Sequence, residues 1–289
     1  MIVFSRDEYK QFQMERELGG DPRVRFFLGD VRDRERLYRA FESVDVVVHA
    51  AALKQIPAAE YNPFEFVKTN IIGAQNVIDA AIDRRVQRVV ALSTDKASSP
   101  INLYGATKLV SDKLFVSGNA YAGDRDTRFS VVRYGNVVGS RGSVVDRLRA
   151  LGPGESFPIT DPRMTRFWIT AENAVRFVLS ALARMKGGEI FVPKLPSMRL
   201  VDLVAALAPD SPLRTVGVRP GEKLHEEMVS LDEARRTRDC GDHYVISPEI
   251  AWAGRGAPSG TPVPEGFRYA SDRNDEWLDR GSLAALLDA

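Results

Sequence analysis

The stretch Arg88-Val89-Val90-Ala91-Leu92-Ser93-Thr94-Asp95-Lys96 indicates the fold class of this 289-residue chain. Its apolar run is typical of a buried strand, and the polar residues Thr94, Asp95 and Lys96 begin where the run ends. In open α/β sheets, ligands bind just beyond the carboxyl ends of the strands. The stretch therefore predicts a parallel sheet with a functional site at the end of this strand.

A second motif, Tyr104-Gly105-Ala106-Thr107-Lys108, follows shortly afterwards. In a helix, a tyrosine and a lysine at this spacing lie on one face, one turn from each other. Because an ammonium near a phenol favours the phenolate, we expect Lys108 to lower the pKa of Tyr104 from its usual value of about 10. Tyr104 would then be a usable base for a sugar or alcohol hydroxyl. Asn102 is the expected N-cap of this helix.

Short apolar runs alternate with helical patterns, which predicts an α/β fold with a doubly wound parallel sheet. The run 44–48 indicates a strand buried on both faces. After about residue 140 proline and glycine become frequent, which predicts a smaller lobe with one strand, near 189–192, that returns to the sheet. The predicted strands are 2–4, 24–28, 44–49, 86–92, 129–133 and 190–192, and the predicted helices are 7–18, 33–43, 64–83 and 104–121.

Composition narrows the function classes. Hydrophobic residues make up 44% and charged residues 27%, as in an ordinary globular enzyme. The formal net charge of +1 gives no general attraction to nucleic acid or anionic membrane. A single cysteine, Cys240, fits a reducing compartment, and three dispersed histidines do not indicate a metal site. With no apolar run near the ~18 residues of a membrane span and no visible secretory signal, we expect a cytoplasmic protein.

A series of motifs resembles one branch of the extended short-chain dehydrogenase/reductase family. That branch comprises the bacterial UDP-N-acetylglucosamine 4,6-dehydratases that invert C5, within the polysaccharide-biosynthesis group. The similarity runs from about Ile2 to Leu278, and ordinary family members lack the Asp95-Lys96 pair. The motifs are His49-Ala50-Ala51-Ala52-Leu53-Lys54-Gln55, Ser93–Lys96, Asn102–Lys108, Arg133–Val137, Gly139–Val145, Met164–Ile169 and Arg219–Glu226.

The resemblance implies NADP-dependent 4,6-dehydration of UDP-N-acetylglucosamine to a UDP-2-acetamido-2,6-dideoxy-hexos-4-ulose, used in bacterial glycan or polysaccharide biosynthesis. Tyr104 would remove the C4 hydroxyl proton while hydride leaves C4, with Thr94 on the reacting oxygen and Lys108 on the nicotinamide ribose. Lys96 would then take the C5 proton, and Asp95 would protonate the departing C6 hydroxyl. Hydride would return to C6 and a proton to the opposite face of C5, so NADP is reduced and re-oxidised in each turnover.

The residues alone support a narrower interpretation of Asp95 and Lys96. Partial burial in a cleft would raise the pKa of the carboxyl and lower that of the lysine, the directions that an acid and a base need. An ion-paired loop is the alternative interpretation of the same pair.

The predicted cofactor-binding residues follow the first three strands. The first strand ends in Ser5 and Arg6, with Lys10 one turn further on, which favours the 2′-phosphate of NADP over the ribose of NAD. A basic helix start balanced by neighbouring acids is the alternative. Asp30 and Val31 resemble the family's adenine contact. Small side chains at Ala50 and Ala51 let the dinucleotide pass close to the strand end, and Tyr104 and Lys108 hold its other end.

The predicted substrate-binding residues are mostly polar side chains after later strands. Arginine binds phosphate bidentately, so three arginines are candidates for the diphosphate, although each could equally form a structural salt bridge. Asp146 is a departure, since relatives usually carry proline there. The predicted residues are Lys54, Asn136, Arg141, Arg166, Arg219 and Glu222.

The Gly-rich turn that normally cradles a pyrophosphate is not found in the sequence. By resemblance, the strand at Ile2 is the second of a Rossmann-like fold, so residues 1–140 form an NADP-binding domain without its first strand and Gly-rich loop, and 141–289 mainly a substrate-binding lobe. In the order 3-2-1-4-5-6, the absent strand leaves two unpaired edges that face each other. Unsatisfied backbone groups at those edges cost about 1–3 kcal/mol each. We therefore expect that this sequence is a truncated form of a longer protein and lacks roughly 25–35 residues, about one β-α unit. If the chain is instead complete, we expect it to bind the cofactor poorly.

Two other functions remain open at this point. A nucleotide-sugar 4-epimerase would share Thr94, Tyr104 and Lys108 but would have no use for Asp95 and Lys96. A non-catalytic nucleotide-sugar-binding protein would tolerate the loss of the glycine turn. Because relatives of this type often assemble as oligomers, the resemblance also implies a homo-oligomer.

Overall fold

The computed structural model describes residues 1–140, 142–152, 154–250, 259–279 and 281–283. A π-helix, Val67–Ile72, joins two of the helices, and a 3-10 turn, Asp95–Ala97, follows the fourth strand. The strands are β1 (Ile2–Ser5), β2 (Arg25–Leu28), β3 (Val46–His49), β4 (Arg88–Thr94), β5 (Arg128–Tyr134), β6 (Asn136–Val137), β7 (Phe157–Ile159), β8 (Thr165–Ile169), β9 (Ile190–Pro193), β10 (Ser197–Arg199), β11 (Leu213–Thr215), β12 (Glu227–Val229), β13 (Thr237–Asp239), β14 (His243–Ile246), β15 (Thr261–Pro262) and β16 (Tyr269–Ala270). The helices are α1 (Glu8–Glu17), α2 (Arg34–Ala40), α3 (Ile56–Tyr61), α4 (Pro63–Phe66), α5 (Gly73–Asp83), α6 (Leu103–Tyr121), α7 (Val144–Arg149), α8 (Ala171–Arg184), α9 (Leu200–Leu207) and α10 (Leu231–Ala234).

The main sheet has seven strands in the order β15-β13-β14-β9-β5-β4-β3. Within this sheet, the neighbouring strands β3, β4, β5 and β9 run parallel, which confirms the predicted fold class. The strands β14, β13 and β15 extend the sheet in antiparallel pairing. The strand predicted near 189–192 does return to the sheet, since β9 pairs with β5 through Ile190 and Phe191. The antiparallel extension comes from a region to which the sequence assigned no strands, and the division at residue 140 stays a prediction.

The core lies on both faces of the sheet because side chains alternate along each strand. On one face, Val89 and Val131 belong to a cluster that includes Phe115 of α6. On the other face, Val90 packs in a cluster with Val178 of α8. Apolar residues at successive positions of β4 therefore serve two separate layers of helices, as expected for a parallel sheet covered on both sides.

The pair β1–β2 lies apart from the main sheet. In the described residues, β1 pairs with β2 alone and β3 pairs with β4 alone. Both open edges line one cleft of about 480 Å³, with Phe4 on one side and Val47 on the other. The prediction that two unpaired strand edges face each other is confirmed.

The position of β3 corrects another prediction. Val46 and Val48 are 42% and 46% exposed, so this strand is not buried on both faces. A strand with a neighbour on one side is an edge strand, and its apolar composition alone could not reveal that position.

Three predicted helix starts are confirmed by their caps. The side chain of Asp7 accepts a hydrogen bond from the Lys10 amide, and that of Asp33 accepts one from the Arg36 amide. Asn102 accepts from the Gly105 amide at 2.7 Å. Each cap satisfies a backbone donor that the first helical turn leaves without a partner.

Short strands after β5 form the remaining sheets. They are a three-stranded sheet in the order β10-β8-β6 and the pairs β11–β7 and β12–β16. Trp168 and Met198 lie in the core beneath the first of these. None of the helices in the described ranges combines the length and apolarity that a bilayer crossing requires.

Candidate active site

The site lies at the carboxyl end of β4, where the sequence predicted it. The strand ends at Thr94, the 3-10 turn follows at once, and the first turn of α6 brings Tyr104 beside it. This approach depends on Gly105, because a Cβ atom there would collide with the carbonyl oxygen of Lys96. A cleft of about 340 Å³ opens at this point, and Thr94, Lys96, Tyr104 and Lys108 line it.

A buried group of charges lies behind one wall of the cleft, and Lys96 is the member of the group that lines it. Lys96 Nζ donates to Asp95 Oδ1 at 3.1 Å and lies 3.2 Å from Glu226 Oε1. Thr94 Oγ1 donates to Asp95 Oδ1 at 2.9 Å. The side chains of Asp95 and Glu226 are 0% and 2% exposed, and that of Lys96 is 22% exposed. The two residues form an ion pair, as the alternative interpretation also expected, but the pair is buried beside the cleft and not on an exposed loop.

The charges around this group set the protonation of its members. Burial raises the pKa of the Asp95 carboxyl, as predicted, and the nearby Glu226 carboxylate adds to that effect. Burial alone would lower the pKa of Lys96, but the carboxylates of Asp95 and Glu226 outweigh it and raise that pKa above its usual value. The predicted lowering for Lys96 is therefore wrong, because a second carboxylate, that of Glu226, contacts its ammonium from a distant part of the chain.

The phenol of Tyr104 also departs from its prediction. Burial raises its pKa to about 12, while the Lys96 ammonium and a hydrogen bond with Thr94 act in the opposite direction. Lys108 Nζ donates to the Leu92 carbonyl at 2.8 Å, and burial lowers the pKa of this lysine. The expectation that Lys108 lowers the pKa of Tyr104 is wrong: the ammonium that favours the phenolate is that of Lys96.

The predicted cofactor residues come together around the cleft between β1 and β3. All seven residues predicted on the strand ends line it, and Ala50 also lines the cleft at Tyr104, so the two clefts adjoin. Thr69 Oγ1 is buried in the same wall without a hydrogen-bond partner among the described residues. The residues on the strand ends are Ser5, Arg6, Lys10, Asp30, Val31, Ala50 and Ala51.

The two ends of this joined cleft carry different groups. Exposed cations, Arg6 and Lys10, lie at one end, and Tyr104 and Lys108 lie at the other. Between them, the described lining carries a single glycine, Gly29, and no Gly-rich turn at a helix start. Across the described ranges, no group of three His, Cys, Asp or Glu side chains is arranged to hold a metal ion.

Two of the predicted substrate residues line the cleft at Tyr104. They are Lys54, on the loop after β3, and Asn136, at the start of β6. Arg141 lies outside the described residues. Asp146 occupies the first turn of α7 and accepts a hydrogen bond from the Gly142 amide at 2.9 Å. An acidic residue is favourable in a first helical turn, and the Asp146 amide donates to Ser143 Oγ at 3.3 Å, a bond that proline could not make.

The segment 219–226 packs on the start of α6. Asn102 Nδ2 donates to the Gly221 carbonyl at 2.7 Å. Arg219 is exposed, and Glu222 is half-buried with its Oε2 atom unpartnered in the described structure. The structure therefore places both predicted residues close to the helix that carries Tyr104, without showing a contact between them.

Arg166 requires a correction. Its guanidinium is buried, and it donates to the carbonyls of Thr165 at 2.7 Å, Leu224 at 2.9 Å and Lys223 at 3.0 Å. These bonds use the donors that a diphosphate would need. Arg166 holds the segment that carries Glu226 in place, and the prediction that it binds the diphosphate is wrong.

Two residues at the site were not singled out from the sequence. Glu226 lies within a quoted motif, yet it meets Lys96 across about 130 residues of chain, so spacing could not pair them. Asn70, on the π-helix, bonds both backbone groups of Leu53 and donates to Thr107 Oγ1 at 3.0 Å. Asn70 thereby fixes the loop after β3 against α6, and no motif marks it.

Comparison with known proteins agrees with this geometry. Residues 1–248 match a family model described as a polysaccharide biosynthesis protein. The chain is 52% identical over 298 residues to the UDP-N-acetylglucosamine 4,6-dehydratase (inverting) of Campylobacter jejuni subsp. jejuni serotype O:2, an alignment that covers 100% of this chain and 89% of that relative.

Two solved structures are also similar. Pen from Bacillus thuringiensis superposes with a TM-score of 0.91 and 35% identity, over 99% of this chain and 88% of that one. DesIV, a dTDP-glucose 4,6-dehydratase from Streptomyces venezuelae with NAD and TYD bound, gives a TM-score of 0.72 and 25% identity, over 87% and 83% of the two chains.

Proposed function

The chain belongs to the polysaccharide biosynthesis protein family, and from this membership and its site we infer that it is an inverting UDP-N-acetylglucosamine 4,6-dehydratase. One observation carries the inference: Lys96 lines the same cleft as Tyr104, and Asp95 is buried directly behind it, 3.1 Å from the Lys96 ammonium. A reaction at C4 alone needs the phenol. Elimination across C5 and C6 needs an acid and a base in addition, and the pair supplies both.

The proposed cofactor is a nicotinamide dinucleotide, as in the DesIV structure with NAD bound. When bound, it accepts a hydride from the sugar and gives it back in the same turnover. Tyr104 and Lys108 would hold its nicotinamide end, and Asp30 and Val31 the adenine end. We assign NADP because Arg6 and Lys10, both about half exposed, line the cleft beyond β1, where a 2′-phosphate would lie; Arg6 also lies 3.7 Å from Asp30 and Lys10 lies 3.4 Å from Asp7.

At C4, Tyr104 is the proton acceptor. Burial raises the pKa of its phenol to about 12, so the phenol must first lose its own proton to solvent, and the phenolate then accepts the proton of the C4 hydroxyl. Two groups favour that phenolate: the ammonium of Lys96 and the hydroxyl of Thr94. In the resting site that hydroxyl donates its single hydrogen to Asp95 Oδ1, so it must turn toward Tyr104 to favour the phenolate.

At C5 and C6, the pair must first exchange a proton. Lys96 is an ammonium in the resting site and becomes a base only after it gives up a proton, for which Asp95 Oδ1 is an acceptor at 3.1 Å. That single transfer creates a neutral amine and a neutral carboxylic acid without changing the net charge. The amine then takes the C5 proton, the acid protonates the C6 hydroxyl, and water leaves. Both groups end in their starting ionic forms.

Proton NMR of the product tests this function. The protein incubated with UDP-N-acetylglucosamine and NADP⁺ should convert the C6 hydroxymethyl into a methyl group, with a ketone at C4. In D₂O, deuterium should appear at C5, and the coupling constants of the ring should show the inverted configuration. Formation of a 4-epimer that keeps its C6 hydroxyl would contradict the assignment. So would calorimetry that shows sugar binding but no binding of NADP⁺ or NAD⁺, with no product formed.

A further inference from the structure

Glu226 is held in one place by bonds to its backbone and its side chain. Its amide donates to Ser271 Oγ at 2.9 Å, and its carbonyl accepts from the Ser271 amide at 2.8 Å. Arg166 Nε lies 3.6 Å from the carboxylate. The side chain is 2% exposed, so its charge is not screened by solvent. Burying a carboxylate costs desolvation free energy, so a carboxylate held this firmly in the interior suggests a functional role for its charge.

The position of this carboxylate relative to Asp95 suggests that use. Oε1 lies 3.2 Å from Lys96 Nζ, while Asp95 Oδ1 lies 3.1 Å from the same nitrogen. The ammonium is thus held between two carboxylates, and only one of them, Asp95, is hydrogen-bonded to Thr94 at the carboxyl end of β4. Glu226 comes from a different segment, the one that Arg166 clamps.

The elimination described above needs one proton shared between Asp95 and Lys96. With two protons the pair has no base, and with none it has no acid. A negative charge in direct contact with the pair strengthens its hold on that proton. The charged and titratable groups that face Lys96 come from several elements: Asp95, Tyr104, Arg166, Lys223 and Glu226. Among them, Glu226 is the carboxylate that contacts Lys96 without being a member of the pair.

We propose that Glu226 is a positioning residue for the elimination step: its carboxylate fixes Lys96 beside Asp95 and retains the proton that the pair shares. This inference rests on the proposed function, because it assigns a part in that reaction. It gives Glu226 no contact with the sugar. Its effect should therefore appear in the rate and pH dependence of the elimination and not in substrate affinity.

The variant Glu226→Gln tests the proposal, because it keeps the size of the side chain and removes its charge. The rate of C6 methyl formation is measured from pH 6 to 10 by NMR, with UDP-N-acetylglucosamine and NADP⁺. We expect kcat to fall by at least about 10-fold with KM changed less than about 3-fold. The high-pH limb of the kcat profile should move about one pH unit lower, because the pair loses its shared proton more easily.

Two further variants separate charge from structure. Glu226→Asp keeps the charge, so its high-pH limb should stay at the wild-type position even though the shorter side chain lowers kcat. Glu227→Gln is the matched control, since Glu227 is the buried neighbour that instead accepts from Ser99 Oγ at 2.7 Å and from Arg268 Nε at 2.6 Å. It should keep the wild-type kcat and pH profile.

The outcomes are distinguishable. If wild type forms the methyl product and Glu226→Gln matches it in rate and pH profile, the inference is overturned and the proposed function stands. A rate loss without any movement of the high-pH limb also overturns it, because a purely structural role would act in that way. Should Glu226→Gln fail to fold, a shifted limb in Glu226→Asp would overturn the proposal, and an unshifted limb would support it. A wild-type protein that forms no methyl product overturns the proposed function and this inference together.

Discussion

Lys96 and Gly105 are in direct backbone contact: the Cα of Gly105 packs against the carbonyl of Lys96 so closely that a Cβ atom has no room. This contact joins the 3-10 turn after β4 to the first turn of α6. Both the Asp95–Lys96 pair and Tyr104 therefore depend on one glycine for their relative position.

The substitution Gly105→Ala should separate these two elements. We expect a loss of about 1–3 kcal/mol in the free energy of unfolding, as for other overpacked sites, and a drop in activity larger than the loss of folded protein explains. Urea unfolding and the rate of methyl formation measure the two effects. Gly118→Ala is the control on the same helix, because its Cβ would meet side chains of Phe129 and Ile78 at 3.1–3.2 Å and not a backbone carbonyl. Equal activity in the two alanine variants would contradict the argument.

His49 should make stability depend on pH. Burial, together with the Lys108 ammonium, lowers its pKa from 6.5 to about 3. As the pH falls below about 6.5, His49 binds a proton in the unfolded chain but stays neutral in the folded chain. The contribution of His49 to the free energy of unfolding is therefore complete above that pH and is lost as the pH falls toward 3. At about 1.4 kcal/mol per unit of pKa, the loss between pH 7 and pH 5 is about 2 kcal/mol.

Urea unfolding of wild type and of His49→Leu at pH 7 and pH 5 measures this contribution. The wild-type protein should lose about 2 kcal/mol more than the variant between the two pH values. Equal losses would show that His49 titrates normally in the folded protein.

Arg6 should make the protein bind NADP⁺ more tightly than NAD⁺. A charge-assisted bond to a phosphate contributes about 1.5–3 kcal/mol, so Arg6→Ala should weaken NADP⁺ binding by about 10- to 100-fold and leave NAD⁺ binding nearly unchanged. Titration calorimetry with each dinucleotide measures both affinities. Arg16→Ala, which removes an exposed cation near the other end of α1, is the control. Equal weakening toward both dinucleotides would argue against a 2′-phosphate contact.

Local patterns in the sequence predicted the parallel part of the fold and the place of the site. The apolar run before Thr94 marked a buried strand, and Asn102 marked the start of α6, because such signals depend on neighbouring residues. The edge position of β3 depends on what lies beside it, so its valines looked like those of a central strand. The antiparallel strands β13 to β15 have two to four residues each, which leaves little periodicity to detect, and β14 pairs with β9 from a distant part of the chain.

The chemistry of the site was predicted only where it depends on residues that are close together in the sequence. Asp95 and Lys96 are adjacent in the chain, so their pairing was visible. The raised pKa of Lys96 depends on Glu226, which reaches it only in the folded protein. Helical spacing correctly put Lys108 one turn from Tyr104, but it did not show that the Leu92 carbonyl binds its ammonium. Arg166 likewise serves backbone carbonyls that the sequence could not place beside it.

The rate at which Lys96→Ala forms the C6 methyl group is the most direct test of the account. The variant should be compared with wild type and with Lys113→Ala, which removes an exposed lysine of α6, after circular dichroism shows that all three are folded. General acid–base catalysis contributes about 10²- to 10⁴-fold, so we expect a loss of that size in Lys96→Ala and none in Lys113→Ala. Methyl formation by Lys96→Ala at the wild-type rate would contradict the assignment of the Asp95–Lys96 pair to the elimination.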